Sequence, residues 1–297
     1  MQVDKEPIRP QKKPTSSSES RLNNLFILHD RDPVILLEYE KEIIDHLRLI
    51  EQQTMPSGDY LTRQPQITAL MRSQLVEWIV DVHTYLRLLP ETLFLTINIM
   101  DRYLSSNSVH LHKFQLVAVV SLLIASKVEE IRVPKIQELV FLTDNTYGRE
   151  EIIKAERYIL SRLGYDVGHP GPFTFLRRIS VADGLDTKIR TVAKYLMECS
   201  LTNEKFLECP ASLLAASAMY VAMKVLKNGE WSDAHIHYSG YQESEVVYGG
   251  RLLLDTAYNL STSSPIYRKW ADDSLMCAST FLTAYFKHIQ FTPFSSA

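Results

Sequence analysis

Apolar side chains recur along this chain at helical rather than strand spacing. Leu36, Tyr39, Ile43, Ile44 and Leu47 share one face. Asp32 can cap that segment and Pro33 suits a first helical turn, so the pattern predicts an amphipathic helix over about 32–53. Met55-Pro56-Ser57-Gly58 stops it. Leu75, Trp78, Ile79, Val82 and Leu86 line one side of a second helix, about 69–86. Pro90 opens a third over about 91–104. A fourth covers about 112–127 and closes on Lys127-Val128-Glu129-Glu130, ahead of Pro134. Two more follow at about 136–142 and 149–163, with Gly164 as the stop. Gly168-His169-Pro170-Gly171-Pro172 is the strongest break and divides the chain into halves.

The halves repeat. Leu116-Val-Ala-Val-Val-Ser-Leu-Leu-Ile-Ala-Ser-Lys-Val128 aligns with Leu213-Leu-Ala-Ala-Ser-Ala-Met-Tyr-Val-Ala-Met-Lys-Val225, position 116 on 213, an offset of 97 residues. Both runs are apolar on every side and rich in small residues, which suits the centre of a helical bundle. At the same offset Asp101 falls on Glu198 and Leu104 on Leu201, so the preceding helix repeats too. The expected fold is all-α: two similar helical bundles in tandem, preceded by the amphipathic helix. The expected layout is a flexible tail over 1–30, the first helix within 31–58, one bundle over 59–167, a second over 168–290 and a short tail over 291–297. Pro7, Pro10, Pro14, Lys12-Lys13 and Ser16-Ser17-Ser18 give the first tail too little apolar surface to fold.

Composition narrows the function. The chain has 297 residues with 32 Lys+Arg against 35 Asp+Glu, a formal charge of −3, which disfavours a general nucleic-acid binder. No apolar run approaches the roughly 20 residues of a membrane span, so no membrane role is expected. Cys199, Cys209 and Cys277 lack zinc or disulfide spacing and suit a reducing compartment, nucleus and cytoplasm. Just 10 glycines fit helices joined by short connectors.

Catalytic constellations are missing. The chain holds no phosphate-binding GxxxxGK[ST], no strand-linked GxGxxG, no HExxH and no GxSxG. His110-x-His112 and His235-x-His237 place their rings on different helix faces, and nothing completes four ligands, so no metal and no cofactor is expected. Function must then lie in surfaces rather than in chemistry.

Met71-Arg-Ser-Gln-Leu-Val-Glu-Trp-Ile-Val-Asp-Val-His83 resembles the opening helix of the cyclin box. Leu89-Pro-Glu-Thr-Leu93, Asn98-Ile-Met-Asp-Arg-Tyr-Leu104, Leu122-Leu-Ile-Ala-Ser-Lys-Val-Glu-Glu130 and Ala155-Glu-Arg157 follow in the family's order. Phe175-Leu-Arg-Arg-Ile-Ser180, Ala193-Lys-Tyr-Leu-Met-Glu198 and His237-Tyr-Ser-Gly240 resemble the B-type, mitotic or S-phase, subgroup, with a fungal look. The resemblance covers roughly 32–290. It implies a non-catalytic subunit that binds and activates a cyclin-dependent Ser/Thr kinase, helps recruit its substrates and drives the cell cycle.

The same resemblance assigns residues. Lys127 and Glu156 match the charged pair that grips the kinase, with Val128 and Glu129 beside them; Val128 stands where Phe is common. Tyr39 and His46 match kinase-facing positions of the N-terminal helix. Arg72 and Asp101 match a buried structural ion pair. Met71, Gln74, Leu75, Trp78 and Asp81, with Phe114 and Gln115, match a patch that docks Arg-x-Leu peptides of substrates or inhibitors. There Asp81 would receive the Arg, and Gln74 replaces the usual aliphatic residue. Arg177, Arg190 and Lys194 match a phosphate-binding pocket of B-type cyclins, with Arg190 where some relatives carry His. Arg21-Leu-Asn-Asn-Leu25 departs from the RxxL destruction box by one position. The rival reading is a non-kinase interaction module of the transcription-factor or pocket-protein type, which shares the two-bundle fold.

Overall fold

The computed structural model describes residues 39–293. The tail over 1–30, the Arg21–Leu25 segment and the Asp32–Pro33 start of the first helix lie outside the described residues. What is described of that helix, α1, is Glu40–Gln53.

The first bundle comprises α2 (Ala69–Leu86), α3 (Pro90–Ser106), α4 (Phe114–Glu129), α5 (Ile136–Leu142) and α6 (Arg149–Arg162). The second comprises α7 (Pro172–Ile179), α8 (Thr187–Ser200), α9 (Ala211–Val225), α10 (Asp233–Ser239), α11 (Glu243–Asn259), α12 (Pro265–Trp270) and α13 (Ala278–Ile289). Among the described residues every regular element is a helix. Local chemistry sets the ends. The Thr68 hydroxyl accepts from the Met71 N–H to cap α2, and Pro90 and Pro172 occupy first turns that need no donor. Gly164 ends α6 with φ +63°, a value that costs a residue with Cβ. Helix α4 runs two residues past its expected end, because the Glu130 N–H still reaches the Ser126 carbonyl at 3.0 Å.

The 97-residue offset is geometric as well as textual. Helices α3 and α8 begin at Pro90 and Thr187, and α4 and α9 begin at Phe114 and Ala211, each pair one offset apart. Ala118, Ser121 and Ala125 on α4 and Ala215, Ala218 and Ala222 on α9 are all fully buried. Their small side chains let α3 and α8 lie close along the central helices. On the other side of α9 a Cβ on Gly250 would stand 2.8 Å from a Val221 methyl, so α11 depends on that glycine for its approach. The helical stretch Leu111–Glu129 is, against expectation, long and apolar enough by length and composition to cross a membrane. Its side chains form the centre of the first bundle, which accounts for that composition.

Three polar links with buried carboxylates tie the helices together: one crosses between the bundles, one lies within the second and one docks α1 on the second. Arg72 on α2 forms a two-toothed pair with Asp101 on α3 at 2.9 and 2.6 Å, and its third donor reaches the Leu201 carbonyl after α8 at 2.8 Å. Asp101 also accepts from the Tyr60 hydroxyl at 2.7 Å, so both carboxylate oxygens are engaged. Glu198, the repeat partner of Asp101, accepts both contacts of Lys269 from α12 at 2.8 Å. Glu51 on α1 accepts from the Ser212 N–H and hydroxyl at 2.8 and 2.7 Å, capping α9 where Pro210 offers no side-chain acceptor.

Candidate functional site

Lys127 is the first charge along α4, whose preceding residues from Leu116 to Ser126 are buried. It falls in the last turn, where a cation complements the helix dipole. Helix α6 packs against α4 and brings Glu156, whose carboxylate accepts from the Lys127 ammonium at 2.5 Å. The two partners differ in exposure: the Lys127 side chain is 49% exposed and that of Glu156 11%. The carboxylate is therefore fixed by its surroundings, and the ammonium is held out toward solvent with donors to spare.

The connector beyond this pair is fixed from the opposite side. Glu130 accepts from the Leu89 N–H at 2.6 Å and the Thr92 hydroxyl at 2.5 Å, which satisfies the start of α3 and ties it to the end of α4. No local pattern pointed to Glu130. Burial, with Glu91 and Glu130 close by, pushes the Glu129 carboxyl above its ordinary range. Val128, Ile131 and Val133 follow as exposed apolar side chains. A presented ammonium with exposed apolar groups beside it suits a protein interface. The repeat position, Lys224 on α9, pairs instead with Glu243 of α11 at 3.5 Å.

On α1, His46 and Ile43 are exposed, and Tyr39 just before the helix is exposed as well. On α2, Met71 and Trp78 are partly buried, Leu75 is buried and Gln74 is exposed. Phe114 lies in the core and Gln115 is half-buried, so only Gln115 of that pair offers polar surface. Asp81 is exposed and already engaged: Arg268 of α12 lies 3.2 Å from it. Sequence reasoning missed Arg268, which stands 187 residues away.

Arg190 and Lys194 lie one turn apart on α8. Burial, then the Arg190 guanidinium, pushes the Lys194 ammonium below its ordinary range, and Glu91 opposes this. Two cations in mutual repulsion make a place where an anion is favoured. The Lys194 ammonium sits 5.8 Å from the Phe173 ring centroid on α7, the helix that also carries exposed Arg177. Of the two histidine pairs, His110 and His112 do not point to different faces as expected but stack at 5.7 Å, because His110 precedes a tight turn over Leu111–Lys113 and not an α-helix, whereas His235 is buried between Asp183 at 2.9 Å and Ser232 at 2.8 Å. Among the described residues no cluster of His, Cys, Asp or Glu could hold a metal ion.

The family model described as "Cyclin, N-terminal domain" matches residues 42–168, and "Cyclin, C-terminal domain" matches 170–284. The chain belongs to the cyclin family. A G2/mitotic-specific cyclin-B of Emericella nidulans is 44% identical over 248 residues, covering 84% of this chain and 52% of that protein. The G2/mitotic-specific cyclin cdc13 of Schizosaccharomyces pombe is 42% identical over 256 residues, covering 86% of this cyclin and 53% of the relative. The chain spans about half the length of the curated relatives it matches. Among solved structures, a viral cyclin from herpesvirus saimiri superimposes with a TM-score of 0.65 at 18% identity, over 72% of this cyclin and 96% of that chain. That likeness concerns the fold, and it agrees with the two tandem boxes expected from the repeat.

Proposed function

We propose that this cyclin is the regulatory, non-catalytic subunit of a cyclin-dependent Ser/Thr kinase in the cell-division cycle, acting in the nucleus and cytoplasm. The observation that carries the reading is the Lys127–Glu156 pair, with its buried carboxylate and presented ammonium. Protein kinases need a Lys–Glu pair of their own, formed when a regulatory helix swings inward. A subunit that binds only the swung-in state shifts that equilibrium by its differential affinity. Lys127 would hold kinase backbone near that helix, with Val128 and Glu129 beside it, and Tyr39 and His46 would extend the contact. ATP and Mg²⁺ would belong to the kinase. The relatives' G2/mitotic-specific names support the cell-cycle assignment.

Two further surfaces fit the same role. Met71, Leu75, Trp78 and Gln115, with Asp81, would dock Arg-x-Leu segments of substrates or inhibitors. Arg190 and Lys194, with Arg177, would take a phosphorylated side chain. The test is to add the purified chain to a purified cyclin-dependent kinase and measure histone phosphorylation. Stimulation well above the free kinase is expected. No stimulation across a panel of such kinases would remove the reading.

A further inference from the structure

Helix α2 presents three faces. Arg72, Val76, Ile79 and His83 turn into the first bundle. Met71, Leu75 and Trp78 make the patch side. Leu70, Gln74 and Glu77, at i, i+4 and i+7, make a third. That third face is one wall of a groove of about 790 Å³, whose other walls are α11 of the second box and the 202–205 turn. The groove exists only because the two boxes meet, and its volume lies in the range of ligand-binding clefts, about 300–1,000 Å³. Neither Met71, Leu75 nor Trp78 lines it, so it is separate from the patch.

Its chemistry is specific. Leu70 and Tyr248 are 69% and 71% exposed, although each sits on a helix with a well-filled core face. Glu77, Glu204 and Asp255 line the groove against Lys205 as the lining cation. Neither Glu77 nor Glu204 has an ion-pair partner within 4.0 Å among the described residues, so with one lysine in the lining the cleft keeps an excess of negative charge. A cleft whose lining carries an excess of negative charge between low-dielectric walls concentrates that field and favours cations over polyanions.

We propose that this groove is a second docking channel, which takes an extended segment of a partner protein with Lys or Arg facing Glu77 and Glu204 and apolar side chains against Leu70 and Tyr248. Gln74 lies on the wall and would offer its amide to the backbone of that segment. The channel stands independently of the kinase reading.

The test uses the whole chain and fluorescein-labelled hexapeptides followed by anisotropy. One probe alternates Lys with Leu, and its counterpart carries Glu in place of Lys. The Lys probe is expected to bind saturably, at least tenfold tighter than the Glu probe, and less tightly as salt rises. A Glu77→Gln, Glu204→Gln double variant and Tyr248→Ala should each weaken it at least fivefold, with unchanged melting temperatures. Met71→Ala, on the patch side, should leave it unchanged. Absence of saturable binding, indifference to either groove variant, or loss with Met71→Ala would each overturn the proposal. Kinase stimulation measured on the same groove variants keeps the two readings apart, since it should not move.

Discussion

Glu51 and Ser212 stand 161 positions apart, yet the Glu51 carboxylate takes both donors of Ser212, at 2.8 and 2.7 Å. The N-terminal helix thereby supplies the cap that α9, the central helix of the second box, lacks at Pro210. The same carboxylate faces the positive end of the α9 dipole. Burial pushes its pKa up while the Ser212 bonds pull it down, so the site balances desolvation against capping. Glu51→Ala should lower stability by about 1–2 kcal/mol, the usual cost of a lost cap. Urea unfolding checks this, and an unmoved midpoint would show that the cap carries nothing.

Arg72 spends its guanidinium on Asp101 and the Leu201 carbonyl, all buried. Arg72→Met should cost about 3–5 kcal/mol, because Asp101 is then left as an uncompensated buried charge. Adding Asp101→Leu to that variant should recover part of the loss. The comparison is made by chemical denaturation, and two additive losses would contradict the pairing.

Acid should weaken the fold through two histidines. Burial, helped by the Lys269 charge, pushes His83 down to about 4 from an ordinary 6.5. Burial and the Arg102 guanidinium do the same to His169, whose ring bonds the Thr54 hydroxyl at 2.7 Å. Both folded values lie below the unfolded one, so the unfolded chain takes up these protons first. Their contribution is complete above about pH 6.5 and is lost as pH falls toward about 4. Each can supply up to about 1.4 kcal/mol per pH unit in that window. Glu51, shifted upward, runs the other way at the acid end. His169→Gln should flatten the curve of unfolding midpoint against pH; an unchanged slope would exclude His169 as a source.

Arg268 and Asp81 are both exposed, at 3.2 Å. An incoming peptide Arg must displace Arg268 to reach Asp81. Exposed pairs of this kind contribute about 0.2–1 kcal/mol, so Arg268→Ala should tighten an Arg-x-Leu peptide by a few-fold at most. Asp81→Asn should weaken it in both backgrounds. Peptide titration by anisotropy reads both, and tighter binding after Asp81→Asn would contradict the role given to Asp81.

Much of the fold was legible because it is written in local signals. The periodicity that fixed Ala69–Leu86, and the 97-residue echo that set Phe114 against Ala211, depend on neighbours within a few turns. Lys127 was legible as the first charge after a long apolar run. Glu51, Lys269 and Arg268 were not, since each acts on a partner 71 to 187 positions away and sits in an ordinary polar stretch. Phe114 reads as surface by its match to a docking strip, but it begins α4 with its ring turned into the core. Helix register, which the local pattern leaves free by a residue or two, decides such cases.

The central claim is that Lys127 and Glu156 act together as the grip on a kinase. The direct measurement is a double-mutant cycle on affinity for a purified cyclin-dependent kinase, using Lys127→Ala, Glu156→Ala and both, with melting temperatures recorded alongside. The account predicts that the double variant loses at least tenfold in affinity, about 1.4 kcal/mol, and loses stimulation of histone phosphorylation, while remaining folded. It also predicts that the two single losses do not add. A folded double variant that binds and stimulates like wild type would contradict it.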